Sequence, residues 1–390
     1  DRQVSALYTE IYAPLVSEAN QVSGVRSLAL SVAGRYEEYS DFGTTFNPKV
    51  GFVWSPVEGV TWRGSYGKSF RAPPMYQLVD NINYVMIVDY WDPEVPSGQS
   101  VAALVAGDTS DLDPEKSTSW SVGVDLRPTF APRFNARITY YDIEYTGRLA
   151  FPSPEFDTET WAYYNFPLPV ERNPDIGQIQ YWIDNSTFGL LGNYTQLSPY
   201  GSRSELEDVT VLLRGFYTNT AASRMSGIDT DLSYDFSLGD SSLLATLNAS
   251  YILESDDQFS VLRPAVKTFD RMFYPARLRL RGGAMWSLGG FSANLFANYV
   301  SSYDDTRVMD APPTEVDAWL TFDASVQYDF DRSGASGLLS GMKLTLSVQN
   351  ILDEAPPRVA FGIHVTESSY SAYDSANADP DGRAIALQFT

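Results

Sequence analysis

One pattern limits this chain more than any other: long runs in which every second residue is apolar while the residues between are mostly small, polar or charged. In 277–288, Leu278, Leu280, Gly282, Ala284, Trp286 and Leu288 alternate with Arg277, Arg279, Arg281, Gly283, Met285 and Ser287. In 242–253, Leu243, Ala245, Leu247, Ala249, Tyr251 and Leu253 alternate with Ser242, Leu244, Thr246, Asn248 and Ser250. In 319–330, Leu320, Phe322, Ala324, Val326, Tyr328 and Phe330 alternate with Thr321, Asp323, Ser325, Gln327 and Asp329. A period of two is a strand with two unlike faces. A dry core does not take a row of guanidiniums without partners, but a wet lumen does.

The same reading gives strands near 3–15, 24–40, 44–56, 60–71, 116–130, 133–149, 217–238, 290–303, 341–351 and 382–390. With the three above this makes about 13 strands, and an all-β fold. Many run to about 12–18 residues, where strands of globular proteins average about 5–6. A tilted strand crossing a bilayer needs about 9–11 residues and can then protrude. Tyr36, Tyr39, Trp54, Phe70, Trp120, Tyr140, Trp286, Tyr299 and Tyr303 lie toward strand ends, as aromatic girdles do. The fold expected is a transmembrane antiparallel β-barrel; a large soluble sandwich or propeller is the alternative. No sequence period of 20–50 residues supports blades or a solenoid. One short helix is expected within Pro174–Trp182.

The connections repeat the message. Those near 16–23, 57–59, 131–132, 239–241, 289–290 and 332–340 are short. They alternate with 41–43, 72–115, 150–216, 258–273, 304–314 and 352–381, of which only the first is short. In an up-and-down barrel, alternate connections share a rim, so every long one leaves from the same side.

Composition closes other routes. The 390 residues carry 49 acids and 27 bases, a net charge of −22. Phosphate neutralisation needs a basic surface, so no nucleic-acid partner is expected. With no cysteine and one histidine, Cys-based zinc sites, iron–sulfur clusters, Cys nucleophiles and multi-His metal sites within the chain are excluded. No run of about 18 apolar residues offers a transmembrane helix.

Particular residues resemble a known family. Gly34-Arg35-Tyr36, Tyr39-Ser40-Asp41-Phe42-Gly43 and Asn47-Pro48-Lys49-Val50-Gly51 look like a hairpin of TonB-dependent outer-membrane receptors. Tyr66 to Pro73 (YGKSFRAP) is similar to their strand-to-loop exit. Leu112-Asp113-Pro114-Glu115-Lys116-Ser117, Tyr140-Tyr141-Asp142-Ile143, Ser226-Gly227-Ile228-Asp229 and Gln349-Asn350-Ile351-Leu352-Asp353 follow in family order. The resemblance implies a barrel of about 22 strands closed by an N-terminal plug. It implies localisation in the outer membrane of a Gram-negative bacterium, with membrane lipid and lipopolysaccharide around the wall. It also implies active import of a scarce, bulky nutrient, caught by external loops and energised by the inner-membrane TonB complex through the plug. No plug sequence, TonB box or signal peptide precedes Asp1, so residues 1–390 are expected to be the C-terminal portion of the barrel domain, without the plug and first strands. A passive porin is the competing transport function.

Candidate site residues come from the long loops. Tyr90, Trp91, Trp161, Tyr163, Tyr164, Tyr181 and Trp182 form a dense aromatic set that can stack on a small-molecule or oligosaccharide ligand, or pack into small cores of its own. Arg277, Arg279 and Arg281 are expected to face the lumen and to pair with carboxylates of wall or plug. Asp80, Asp89, Asp92, Asp108, Asp111 and Asp374 belong to an acidic loop surface whose spacing matches no calcium motif. His364 could be set with Ser368 or Ser369 and with Asp353 or Glu367 as a hydrolase, but nothing brings nucleophile and base together. No enzyme, cofactor or metal is expected.

Overall fold

The computed structural model describes residues 2–78, 80–109, 111–152, 155–157, 162–164, 166, 169–195, 205–259, 264–306, 312–331, 341–359 and 372–390. In chain order the strands begin with β1 (Val4–Val16), β2 (Ser27–Tyr39), β3 (Gly43–Val57), β4 (Val60–Arg71), β5 (Asn81–Trp91), β6 (Gln99–Asp108), β7 (Glu115–Leu126) and β8 (Phe134–Ala150). Next come β9 (Glu155–Asp157), β10 (Ala162–Tyr164), β11 (Glu171–Arg172), helix α1 (Ile176–Asn185), β12 (Leu190–Asn193), β13 (Val209–Phe216), β14 (Thr218–Leu238) and β15 (Ser241–Gln258). The chain ends through β16 (Val266–Lys267), β17 (Leu278–Leu288), β18 (Phe291–Val300), β19 (Tyr303–Asp305), β20 (Thr314–Val316), β21 (Trp319–Asp329), β22 (Lys343–Gln349) and β23 (Ala384–Phe389).

The long alternating segments form one fourteen-stranded sheet in the order β1-β2-β3-β4-β7-β8-β14-β15-β17-β18-β21-β22-β23, with β16 added beside β15. Every wall pairing is antiparallel. Among the described residues β1 and β23 do not pair, so the wall is open there.

Register carries each face from strand to strand. Trp62, Val124, Ile138, Thr230, Ala249, Leu280, Tyr299 and Leu320 stand opposite one another in turn from β4 to β21. One residue away, Thr61, Asp125, Arg137, Asp231, Asn248, Arg281, Asn298 and Thr321 make the matching rung of the other face. Slipping any strand by one residue would exchange its faces, so the apolar side sets the register. The polar rung satisfies itself across strands. Asp125 accepts from Arg63 and Arg137 at 3.2 Å each, Asn248 donates to Asp231 at 2.5 Å, and Arg281 donates to Asn298 at 2.6 Å. Asn298 in turn donates to Asp323 at 2.8 Å.

Aromatic rings gather at both ends of the apolar face. Near the short turns lie Trp54, Trp62, Trp286 against Phe291 (5.7 Å) and Tyr234 against Phe236 (4.4 Å). Toward the other end Trp120 lies against Tyr140 (5.0 Å). The turns between β3 and β4, β14 and β15, and β17 and β18 pass through Gly59, Gly239 and Gly289, each at positive φ. The β3–β4 turn needs glycine doubly, because a Cβ on Gly59 would lie 2.2 Å from the carbonyl oxygen of Arg127.

The connections expected to be long contain more order than alternation revealed. Segments from 72–115 and 150–216 build a second, seven-stranded sheet, β11-β13-β6-β5-β10-β9, with β12 also on β5. β5 and β6 are an antiparallel hairpin, while β13 runs parallel to β6, and β10 and β12 run parallel to β5. A sheet covered on both faces needs continuous apolar strands rather than alternating ones. Val101-Ala102-Ala103-Leu104-Val105-Ala106 is such a run, and all but Val101 are buried. The expected short helix is α1, three residues longer at its end than expected and capped by Asp175, whose side chain accepts from Gly177 N at 2.9 Å.

Candidate ligand-binding face

The second sheet hangs on the connections of one rim, between β4 and β7 and between β8 and β14. Helix α1 covers one of its faces: Ile179 and Trp182 pack on Val85, Ile87, Ala103, Val105, Val209 and Leu212. The opposite face buries Val88, Tyr90, Ala102, Leu104, Phe166, Val211 and Leu213 together. A buried ion pair locks the end of the hairpin. Asp92, fully buried, receives two hydrogen bonds from the Arg172 guanidinium, one of them 2.9 Å, and one from Ser100 Oγ at 2.8 Å. The Arg172 bonds, aided by Ser100 and the Glu94 N–H and opposed by burial, hold the Asp92 carboxyl down to about 2.

A second lock joins three further connections of that rim. Asp374, 1% exposed, accepts from the N–H groups of Phe273 (3.2 Å) and Ala376 (2.9 Å) and from Asn377 Nδ2 (2.8 Å). Burial pushes the neighbouring Tyr303 phenol well up, and its hydrogen bond to Asp374 adds to the rise. Met272, Ala276, Tyr303 and Val316 form a small apolar core beside this hub.

Where helix α1 meets the start of β5 and the β13–β14 junction, the surface opens into a cavity of about 650 Å³. Asn81, Asp108, Asp111, Tyr181, Trp182 and Arg214 are among the residues of its walls. A groove of about 870 Å³ lies at the other rim, along the polar face of the wall, with Asp125, Arg137, Asp231 and Asn248 in its lining.

The structure separates the expected aromatic set. Tyr90 and Trp182 are in the cores of the second sheet, at 7% and 8% exposure. Trp91 and Tyr181 are exposed, at 53% and 62%. Tyr163 pairs with Tyr90 through β10 and β5, and Tyr164 pairs with Glu155 in β9. Trp161 lies outside the described residues, as do His364, Glu367, Ser368 and Ser369. Of the seven aromatics, the cavity brings together Tyr181 and Trp182.

The three arginines stand at the head of β17. Arg277 donates to Asp270 at 3.3 Å and lies over the Phe269 ring at 4.8 Å. Arg279 donates to Asn377 Oδ1 at 2.5 Å, and Arg281 lies 3.9 Å from Asp323 and over Phe296 at 4.4 Å. Residues of the wall and its own loops therefore partner all three. Among the described residues, no three His, Asp or Glu side chains converge as a metal site.

Residues 19–351 match the family model described as TonB dependent receptor-like, beta-barrel. The chain belongs to the TonB-dependent receptor family. Proteins of this family are receptors and transporters of the Gram-negative outer membrane. No curated protein matches the chain. Solved structures with the same fold include the siderophore receptor PirA from Acinetobacter baumannii, with 15% identity and a TM-score of 0.58 over 100% of this chain and 45% of that one. A mutant of the ferric enterobactin receptor PfeA from Pseudomonas aeruginosa, in complex with enterobactin, gives 13%, 0.61, 100% and 45%. The FrpB iron transporter from Neisseria meningitidis gives 11%, 0.52, 100% and 45%. The chain thus spans less than half the length of these receptors, and at such identities the likeness is one of fold.

Family motifs quoted from the sequence mark architecture. Asn350 adopts φ +48 and receives the Glu354 N–H at 2.9 Å, while Asp353 adopts φ +59 and receives the Arg383 N–H at 2.8 Å. Both close the exit of β22 into its loop. Asp92 and Asp374, the two buried acids that organise the long connections, had only their acidity as a signal. Neither sits in a motif, and beside their local partners each bonds one distant residue, Arg172 at 80 and Phe273 at 101 positions away in sequence.

Proposed function

We propose that this chain supplies wall and external loops of a receptor that imports a scarce, bulky nutrient across the outer membrane, with energy delivered by the TonB complex acting on a plug. The observation that carries the proposal is the pairing of a two-faced wall with a family match over 19–351. On this reading the apolar face meets lipid, the rung through Arg281 and Asn298 lines a wet lumen, and the rim bearing the second sheet faces outward. The ordered external sheet favours ligand capture over passive diffusion, since a packed and buried loop domain presents fixed groups.

The ligand class is read from the external face. Among the described residues its cavity holds Asp108 and Asp111 with one cation, Arg214, which Glu171 already holds at 2.5 Å. Like charge slows encounter, so this face suits a neutral or cationic ligand better than an anionic chelate. The named relatives are siderophore and iron receptors, and a ferric siderophore is the reading set against it. The test is uptake by the full-length receptor in a strain with and without TonB, with neutral oligosaccharides and anionic ferric siderophores offered separately. TonB-dependent uptake of a neutral ligand is expected. Uptake that persists without TonB overturns active import; TonB-dependent uptake of a ferric anion alone overturns the ligand class.

A further inference from the structure

The cavity beside helix α1 has walls of two kinds. Tyr181 stands on the exposed face of the helix with its ring in solvent, and Tyr217 is held edge-on against Phe151 at 5.6 Å. Across from them lie the carboxylates of Asp108 and Asp111 at the end of the β5–β6 hairpin. Among the described residues Asp108 accepts from Asn83 alone, at 3.3 Å, and a carboxylate has lone pairs beyond that one bond for a ligand. Arg214, the cation of the lining, is spent twice: Glu171 accepts from its Nε at 3.0 Å and its Nη2 at 2.5 Å, and its guanidinium covers the Trp182 ring at 5.4 Å.

These features act together as a filter. Trp182 is closed off by its core and by Arg214, Phe216 packs on the same core and Tyr217 is engaged by Phe151, so Tyr181, 62% exposed, is the described lining ring with most surface to offer a ligand. Free carboxylate oxygens accept hydrogen bonds and donate none, so the ligand must bring donors. A ring whose C–H face lies on a tyrosine and whose edge carries hydroxyl donors meets both demands. A carboxylated ring meets the first demand and is repelled by the second wall. The volume of about 650 Å³ is within the range of small-molecule sites.

We propose that this cavity is a saccharide-binding pocket for neutral or amino-bearing sugar rings, with Tyr181 as the stacking platform and Asp108 and Asp111 as acceptors for their hydroxyl or ammonium donors. The proposal rests on the import reading above and gives its ligand a place and a class. The pocket lies among external connections, apart from the polar face of the wall, so it holds ligand without the plug.

The probes are maltohexaose, cellohexaose and xylohexaose as neutral chains, a glucosamine hexamer as the cation and hexagalacturonate as the anion. Binding is measured by calorimetry on the purified full-length receptor. At least one neutral hexasaccharide is expected to bind, and hexagalacturonate about tenfold more weakly or not at all. Tyr181→Ala should weaken the neutral ligand about tenfold, in keeping with loss of one stacking contact, and Tyr181→Phe should restore most of it. Phe188→Ala, an exposed ring outside the cavity, should change nothing. Binding of no neutral chain, equal binding of hexagalacturonate, or indifference to Tyr181→Ala overturns the pocket; binding of the glucosamine hexamer at least as tight as that of the neutral chains supports the carboxylate wall. Cargo uptake lost without TonB but unchanged in Tyr181→Ala overturns the pocket alone. Saccharide bound through Tyr181 yet taken up equally without TonB overturns the import reading alone.

Discussion

Arg279 on β17 donates from Nη2 to Oδ1 of Asn377 at 2.5 Å, so a wall strand grips the returning arm of the last long connection. The same guanidinium nitrogen reaches the carbonyl of Ala376 at 3.1 Å. Asn377 is 6% exposed and accepts from Ala276 N at 3.2 Å while donating to Tyr274 O at 2.8 Å. It therefore joins two loops and a strand. Asn377→Ala leaves the Ala276 N–H and the Tyr274 carbonyl without these partners, a cost of about 1–3 kcal/mol for each unsatisfied buried group. Hydrogen exchange at Phe273 and Ala276 should accelerate by about tenfold or more, while heat-modifiable gel mobility of the barrel stays unchanged. Unaltered exchange at both amides would show that the apolar core around Met272 and Val316 holds the loops by itself.

A second prediction concerns acid. Asp92 is held down to about 2 by Arg172, so its folded value lies below its unfolded one. The resulting stability is fully present above the unfolded value near 4 and is lost as pH falls through about 2. Asp92→Asn should weaken the second sheet by on the order of 2 kcal/mol at neutral pH. Proteolysis within 92–100 at pH 7 reads this directly. The gap between wild type and variant should shrink as exchange is followed downward from pH 4. A gap that grows in that range would contradict the assigned sign.

The wall was legible in the sequence because its signal is local. Leu280 and Arg281 differ in face by virtue of adjacency alone, and each of the strands read from alternation joins the large sheet. The second sheet was not legible by the same means. Val101–Ala106 has no alternation to read, and its partner Val209–Phe216 lies beyond a hundred residues of chain. Burial of Trp182 but exposure of Tyr181 depends on how α1 docks on β5, which neighbouring residues do not encode. The cavity draws on four separate segments, so no motif announces it. For the arginines, sequence indicated that they need partners; Asp270, Asn377 and Asp323 come from the fold.

The turn between β3 and β4 supplies a third prediction. Gly59 has φ +78, its carbonyl accepts the Arg127 N–H at 2.7 Å, and a Cβ there would strike the Arg127 carbonyl oxygen. Gly59→Ala meets both the left-handed backbone penalty and a clash with backbone that has no free rotation. Gly239→Ala meets the first alone, since a Cβ at Gly239 finds nothing within 4 Å. The expected order of assembly yield is wild type, then Gly239→Ala, then Gly59→Ala, with the last reduced several-fold in the folded band of a heat-modifiability gel. Equal yields for the two variants would mean that the 127–133 turn moves aside without cost.

The parity of the wall makes the last prediction. Leu280, Ala284 and Leu295 belong to the apolar face, and Arg281, Asn294 and Asn298 to the polar one, by the same register. The chain has no cysteine, so single cysteines can be placed without background. Spin labels at the first three positions of the full-length receptor in lipid vesicles should be relaxed by oxygen, and labels at the second three by a water-soluble nickel chelate. Between Leu280 and Arg281 the preference should reverse within one residue, since successive side chains of a strand point to opposite faces. The middle of β17 is the most informative place to look, because Ala284 lies between the level of Trp286 and that of Tyr299, which stands opposite Leu280. The same accessibility for both sets would exclude a membrane wall, and a reversal displaced by one residue would place β17 in the wrong register.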